Sequence, residues 1–183
     1  MASTLSVTGM PDPRIWIDHR VRDDILDDIR GQRRCLETGG PLIGYIAGDA
    51  YVVVRAHGVP VANRHRASFQ PSYDAVDEII ASEHRRSDGQ LRYLGSWHSH
   101  PSGTAVPSST DHNTAKNIAS EPEVKLARPL QLIAATSVRP WRAHVQDLGC
   151  WQWDPRKHAL TSRSIIWTWT DLRGSHRHTV PGS

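Results

Sequence analysis

The 183-residue sequence is poor in cysteine and contains no long apolar run. Its two cysteines, Cys35 and Cys150, are too few for a disulfide scaffold or a four-cysteine zinc site, so we predict two reduced thiols. No segment reaches the roughly 18 consecutive apolar residues that a membrane-spanning helix needs, which predicts a soluble protein. Residues 1–13 lack a basic start followed by an apolar block, so we expect no secretory signal and a cytoplasmic location.

The sequence also lacks a large excess of charge. It contains 22 Lys and Arg residues and 19 Asp and Glu residues, which give a formal net charge of +3. This value is too small to predict nucleic-acid binding. The length fits one globular domain, so any catalytic centre must lie in a single core. Histidine is abundant, with 11 residues, and it is the commonest metal ligand. The composition therefore directs attention to histidine clusters.

Hydrophobic periodicity predicts alternating strands and helices. Apolar residues recur at helical spacing from Val21, in a helix that we expect to end near Arg34, and again from Tyr73. Runs rich in β-branched residues flank the Gly48-Asp49 turn and predict a hairpin. The expected strands cover residues 14–18, 42–47, 51–54, 91–98, 130–136 and 141–146, and a third helix covers residues 111–119.

This order predicts an α/β fold with a mixed sheet and about three helices in one domain, residues 14–172. We expect a flexible segment over residues 1–13 and a disordered tail over residues 173–183, which are polar and contain glycine and proline. The alternation at Trp167 and Trp169 predicts a strand with one aromatic face. That face fits ordinary packing, and a ligand-stacking platform is the alternative.

A pair of histidines forms the candidate functional site of the sequence. On a strand, residues i and i+2 point the same way, so His98 and His100 present both imidazoles to one side of the sheet. Pro101 ends the strand, and the returning chain places Asp111 on the first turn of the next helix. Three nitrogen and oxygen ligands leave one position open, which is the arrangement of a catalytic zinc. The spacing therefore predicts one zinc ion per chain.

The fixed offsets make this pattern specific. With 11 histidines, chance alone yields about 0.7 such pairs, and the chain has a second pair, His176 and His178, with no acid after it. Requiring Ser108 and Asp111 at their offsets lowers the chance expectation to roughly 0.005. The two residues also form a capping-box pattern at a helix start, so helix capping is an alternative role for Ser108. We expect His112, next to Asp111, to face away from the metal.

The pattern H-x-H, seven residues, S, two residues, D resembles that of the JAMM metalloproteases, also called MPN+ or JAB-domain zinc proteins. His98, His100, Ser108 and Asp111 match it without a departure. The family's upstream glutamate is matched by Glu37, which precedes a glycine-containing apolar strand, although a solvated helix-end carboxylate is the alternative. The arrangement is most similar to the stand-alone prokaryotic branch, and it implies the family's α/β sandwich.

The resemblance implies zinc-dependent hydrolysis of a peptide or isopeptide bond after a ubiquitin-like or sulfur-carrier-like protein, in some members within antiphage conjugation systems. In this mechanism, water on the zinc ion loses a proton to Glu37, and the Ser108 hydroxyl stabilises the tetrahedral oxyanion.

Three alternatives stay open at this point. One is a nucleophilic Cys35, although no sequence pattern pairs it with an activating histidine. Another is a non-catalytic scaffold of the same fold. The third is a DNA-repair-associated JAB-like protein, whose usual N-terminal DNA-binding region has no room in this chain.

Overall fold

The computed structural model describes residues 13–31, 36–65, 68–101, 103–139, 142–171 and 175–176. The helices are α1 (His19–Gly31), α2 (Tyr73–Arg86) and α3 (Ser109–Ser120). The strands are β1 (Ile15–Asp18), β2 (Gly39–Ala47), β3 (Ala50–Ala56), β4 (Val61–His65), β5 (Ser68–Pro71), β6 (Arg92–Pro101), β7 (Leu130–Arg139), β8 (Arg142–Asp154), β9 (Ala159–Ser162), β10 (Ile165–Thr168), β11 (Thr170–Asp171) and β12 (Ser175–His176).

Eight of these strands form one mixed sheet in the order β10-β1-β3-β2-β6-β7-β8-β9. The pairs β1–β10, β1–β3 and β6–β7 are parallel, and the other four are antiparallel. The strands β4 and β5 form a separate hairpin, as do β11 and β12. The predicted α/β class with a mixed sheet is therefore confirmed.

Helix α1 lies in the hollow of this curled sheet. Its Val21, Ile25 and Ile29 are buried at the helical spacing seen in the sequence. They share one core with side chains from six neighbouring strands of the sheet, from Ile17 on β1 to Cys150 on β8. The sheet therefore wraps around the helix. The core explains why the free thiol of Cys150 is buried.

Alternate residues of the same strands face the other side of the sheet, which α2 and α3 cover. Ile80 of α2 packs on Ile43 and Val52, and Ala115 of α3 packs on Trp153 and Leu160. One helix on one face and two on the other make the expected sandwich. The surface around His98, His100 and Asp111 is consequently framed by α3 on one side of the sheet and α1 on the other.

The expected hairpin, α2 and central strand are present, with β2 beginning three residues earlier than expected and β6 ending three residues later. Helix α1 ends at Gly31, and Arg34, its expected end, lies outside the described residues. Strand β8 runs on to Asp154 because it pairs with β7 as far as Gln152 and with β9 from Trp151 to Asp154. Residues 1–12 and most of the expected tail lie outside the described part of the chain.

Trp167 lies in edge strand β10, and Trp169 follows the strand. Their rings stack on the His19 ring with centroid distances of 5.3 and 4.5 Å. The aromatic face thus packs locally on the start of α1, although Trp169 stays largely exposed. No helix in the described ranges is long and apolar enough to cross a membrane.

Candidate metal centre

The two histidines of the motif lie at the end of the central strand β6, which ends at Pro101. Because they are two residues apart on a strand, their rings point to the same face. Their Nε2 atoms lie 3.0 Å apart, and His98 is buried while His100 is partly exposed. The strand therefore presents two imidazole nitrogens to one point, as the sequence predicts.

Asp111 reaches the same point from the first turn of α3. The helix begins with a full capping box, in which the Ser108 hydroxyl accepts from the Asp111 amide and the Asp111 carboxylate accepts from the Ser108 amide. The Ser108 hydroxyl also donates to Asp111 Oδ2 at 2.7 Å. Below the helix, the buried Gln131 side chain donates to the Asp111 carbonyl at 3.1 Å. These contacts aim the other carboxylate oxygen, Oδ1, at His98 Nε2, 3.2 Å away.

The three side chains fit one metal ion. One donor atom from each of His98, His100 and Asp111 lies within 4.8 Å of the others. His98 Nε2 lies 3.0 Å from His100 Nε2 and 3.2 Å from Asp111 Oδ1, close to the roughly 3.3 Å between ligand atoms that share a tetrahedral zinc ion, while Asp111 Oδ2 lies 3.8 Å from His100 Nε2. Within the described part of the chain, no other group of three or more His, Cys, Asp or Glu side chains converges in this way.

The loop between the histidine pair and Ser108 orients the second histidine. His100 Nδ1 lies 2.8 Å from the Thr104 carbonyl, which can only accept a hydrogen bond, so the ring proton belongs on Nδ1 and the lone pair on Nε2. The next residue is held in turn, because the Trp151 indole donates to the Ala105 carbonyl at 2.8 Å. Sequence reasoning missed Thr104 and Trp151. Neither residue occupies a fixed position of the motif, so no sequence signal marked them as supports of a ligand.

Asp111 carries its charge readily in this environment. Burial of the carboxyl opposes ionisation and would raise its pKa. Hydrogen bonding to His98, the charge of His98 and the two hydrogen bonds from Ser108 outweigh burial and hold the pKa of Asp111 well below its ordinary value. A carboxylate that stays ionised at neutral pH is the form that binds a cation.

Glu37 lies beside this group, just before β2. Gly39 pairs with His98, and the Ser99 amide donates to the Thr38 carbonyl at 2.7 Å, which places Glu37 opposite His100 when the antiparallel register is continued. Burial raises the pKa of Glu37; the charge of His100 opposes this shift and that of Asp111 adds to it. The carboxyl is therefore close to the metal-binding group without being part of it.

The remaining motif residues lie as follows. Ser99 points to the opposite face, where its hydroxyl accepts from the Thr38 amide at 3.0 Å. His112 turns away from the group, and its Nδ1 accepts from the Leu160 amide at 3.3 Å. Cys35, the alternative nucleophile, and His178 of the second histidine pair lie outside the described residues.

Comparison with known proteins identifies the family of this chain. The sequence profile of a family described as prokaryotic homologs of the JAB domain matches residues 21–145, more than half of the chain. The chain belongs to this prokaryotic JAB family. A probable metalloprotease, y4qB, from Sinorhizobium fredii is 32% identical over 133 residues, covering 71% of this chain and 80% of the relative.

Two further relatives of this JAB-family chain are named CD-NTase/cGAS isopeptidases. The one from Enterobacter hormaechei is 31% identical over 53% of this chain and 54% of its own length. The one from Pseudomonas aeruginosa is 33% identical over 42% of this chain and 49% of its own length, so the chain spans about half of each. Metalloproteases and isopeptidases are both hydrolases, and these relationships support a JAB-family hydrolase.

The fold is shared with a solved protein as well. The solution structure of protein DSY2949 from Desulfitobacterium hafniense matches 90% of this chain and 99% of its own, with a TM-score of 0.61 and 22% identity. The expected JAB/MPN-type sandwich and the expected family are thus confirmed.

Proposed function

We propose that this protein is a zinc-dependent peptide or isopeptide hydrolase that acts on the tail of a ubiquitin-like or sulfur-carrier-like protein. The observation that carries the proposal is the convergence of His98, His100 and Asp111 with a partly buried carboxyl, Glu37, beside them. The relatives named metalloprotease and isopeptidase support amide-bond hydrolysis as the reaction class.

In this proposal His98 and His100 Nε2 and Asp111 Oδ1 hold one zinc ion. The bound ion supplies a Lewis acid that lowers the pKa of water toward about 7 and polarises the carbonyl under attack. The chain's own contribution is to fix the ligands before the ion arrives. Thr104 sets the His100 tautomer, and Ser108 orients the Asp111 carboxylate.

Glu37 is the general base of the proposal. Its carboxylate takes a proton from the attacking water and delivers it to the leaving amine. Burial raises its pKa, which makes it a stronger base than an exposed glutamate.

Ser108 keeps two roles in the proposal, the helix cap and donation to the oxyanion. Its hydroxyl has a single proton, which is directed at Asp111 Oδ2 in this structure. Donation to an oxyanion therefore requires rotation of the hydroxyl during the reaction, while the Ser108 amide continues to hold Oδ2 at 2.6 Å.

The names of the two isopeptidase relatives support an isopeptide bond as the target, and a conjugate of a nucleotidyltransferase is a candidate substrate. Participation in an antiphage conjugation system is part of the same proposal. The proposal predicts that the protein cleaves a ubiquitin-like protein from a lysine of a conjugated nucleotidyltransferase. It also predicts that linear fusions with the same tail are cleaved.

The first experiment measures zinc by elemental analysis of the purified protein. We expect one zinc per chain in the wild type and loss of zinc in the His98→Ala, His100→Ala double variant. His112→Gln is the matched control, because His112 adjoins Asp111 but turns away from the group. Full zinc occupancy in the double variant would show that the metal is bound elsewhere.

The second experiment separates an enzyme from a scaffold. Glu37→Gln should retain the fold and the zinc yet lose cleavage of a ubiquitin-like fusion by about 10² to 10⁴-fold, the effect of a missing general base. Loss of zinc in this variant would mean that Glu37 is a ligand. A zinc-loaded wild type that is inert on every fusion and conjugate would favour the non-catalytic scaffold.

A further inference from the structure

We propose that Asp28 and Thr38 are positioning residues, which fix the Glu37 carboxyl over the metal-binding group by tying its peptide segment to helix α1. The inference rests on the proposed function of Glu37. Its observations come from the face of the sheet opposite the histidines.

The first observation is the register at the site. The antiparallel pairing of β2 with β6 reaches Gly39 and His98, and Thr38 extends it through two contacts with Ser99. The Ser99 amide donates to the Thr38 carbonyl at 2.7 Å, and the Thr38 amide donates to the Ser99 hydroxyl at 3.0 Å. Thr38 is therefore held to the strand that carries both histidines.

The second observation is the alternation of side chains. Residues opposite one another in an antiparallel pair share a face, and the next pair takes the other face. Glu37 and His100 thus face the site, whereas Thr38 and Ser99 face the interior that contains α1. Thr38 is buried, with 1% of its surface exposed, and Ser99 with 2%.

The third observation is the partner on α1. The Thr38 hydroxyl donates to Asp28 Oδ2 through a short hydrogen bond. The Gly58 backbone packs directly against the Asp28 carboxylate, because a Cβ added at Gly58 would overlap it. One helical turn earlier, Asp24 accepts from the Ala56 amide at 3.1 Å and from Arg55 at 2.9 Å, which fixes α1 against the end of β3.

Together these contacts hold the residue after Glu37 from two sides. The backbone of Thr38 is bound to β6, and its side chain is bound to a helix that is itself attached to β3. A general base works only if its carboxyl is held at the right distance, and a displacement of about 1 Å can cost about 10²-fold in rate. Asp28 acts through Thr38 and Glu37 and does not contact the metal-binding group.

The test compares Thr38→Val, which keeps the shape but loses the hydroxyl, with Thr38→Ser, which keeps the hydroxyl. With zinc saturated and its content confirmed, we expect kcat on a ubiquitin-like fusion to fall by about 10 to 10²-fold in Thr38→Val with little change in KM. Thr38→Ser should recover most of the loss. Thr161→Val is the matched control, because it removes a remote hydroxyl bond to the Gln152 carbonyl.

A second readout needs neither zinc nor substrate. In the zinc-free protein, amide hydrogen exchange at residues 37–39 should be about 10-fold faster in Thr38→Val than in the wild type, as expected when one hydrogen bond of ordinary net strength is lost. Thr161→Val should leave these amides unchanged. Asp28→Asn, which retains a weaker acceptor, should show a smaller change in both kcat and amide exchange. This variant replaces Thr38→Val in the test if Thr38→Val does not fold.

The outcomes separate the two proposals. An active wild type with unchanged kcat in both Thr38→Val and Asp28→Asn would overturn the positioning role. An inert wild type would overturn the proposed function, and the exchange rates would then decide whether Asp28 and Thr38 fix this segment. Unchanged exchange at residues 37–39 would overturn the inference in that case as well.

Discussion

Replacing Ser108 with alanine removes one hydroxyl that takes part in two contacts. The hydroxyl accepts from the Asp111 amide at 3.3 Å, which caps α3, and donates to Asp111 Oδ2 at 2.7 Å, which orients the carboxylate. The Ser108 amide bond to Oδ2 survives the change. We therefore expect a stability effect and a separate metal-binding effect, each of which can be measured.

The expected magnitudes differ between the zinc-free and the zinc-bound protein. Loss of a serine cap costs about 1 kcal/mol of unfolding free energy, whether or not zinc is present. Loss of a hydrogen bond that orients a metal ligand lowers metal affinity by about 10 to 10²-fold. In excess zinc each tenfold loss of affinity lowers the unfolding free energy by about 1.4 kcal/mol. Ser108→Ala should consequently be destabilised by about 1 kcal/mol without zinc and by about 2–4 kcal/mol with it.

The assay is denaturant unfolding of wild type, Ser108→Ala and Ser108→Thr, each with chelator and with excess zinc, together with zinc affinity from competition with a chromophoric chelator. Ser108→Thr retains the hydroxyl and is the control. Equal destabilisation with and without zinc, at unchanged zinc affinity, would refute the orienting role of Ser108. At saturating zinc, kcat should fall by a further factor of about 10² if the hydroxyl also serves the oxyanion, and an unchanged kcat would leave Ser108 as a cap and orienting residue.

Two other changes test contacts outside the motif. Trp151→Phe removes the indole donor to the Ala105 carbonyl, so we expect about 1 kcal/mol less stability and weaker zinc binding in the competition assay; unchanged affinity would show that the Thr104 loop holds His100 unaided. Burial lowers the pKa of His57 below its ordinary 6.5, and Glu83, 3.1 Å away, opposes the shift only in part. The unfolded chain then binds the proton more readily than the folded chain, so stability should fall as the pH drops from about 7 through 6.5. In the zinc-free protein, this loss of stability should be smaller in His57→Gln than in the wild type. Equal losses in the two proteins, measured by thermal unfolding between pH 8 and pH 5, would contradict this assignment.

Local patterns were sufficient to predict the centre of the site. The positions of His98 and His100 follow from strand periodicity, and the first-turn position of Asp111 follows from the helix pattern after the proline-containing loop. Both are properties of short segments, which is why spacing alone predicts them. The capping box of Ser108 and Asp111 is local in the same sense, and the structure contains it in full.

The residues that hold the site residues in place could not be predicted from the sequence, because they act through contacts between distant segments. Trp151 lies on β8, and it meets Ala105 only because β7 places β8 beside the loop that follows β6. Gln131 is a buried amide whose partner, the Asp111 carbonyl, lies 20 positions away in sequence. Neither residue has a distinctive neighbour in the sequence, so no periodicity or motif separates it from ordinary core packing.

The pairing of Glu37 with the histidines shows how one register relates the two faces of the sheet. Once Gly39 is opposite His98, residue 37 must face the same side as His100, and residue 38 must face α1 with Ser99. A shift of one residue would turn the glutamate into the core and bring a threonine to the metal-binding group. The hydrogen bond from Thr38 to Asp28 holds only in the observed register, because only there does the hydroxyl reach α1. The buried contact on the inner face therefore selects the register that exposes the carboxyl on the outer one.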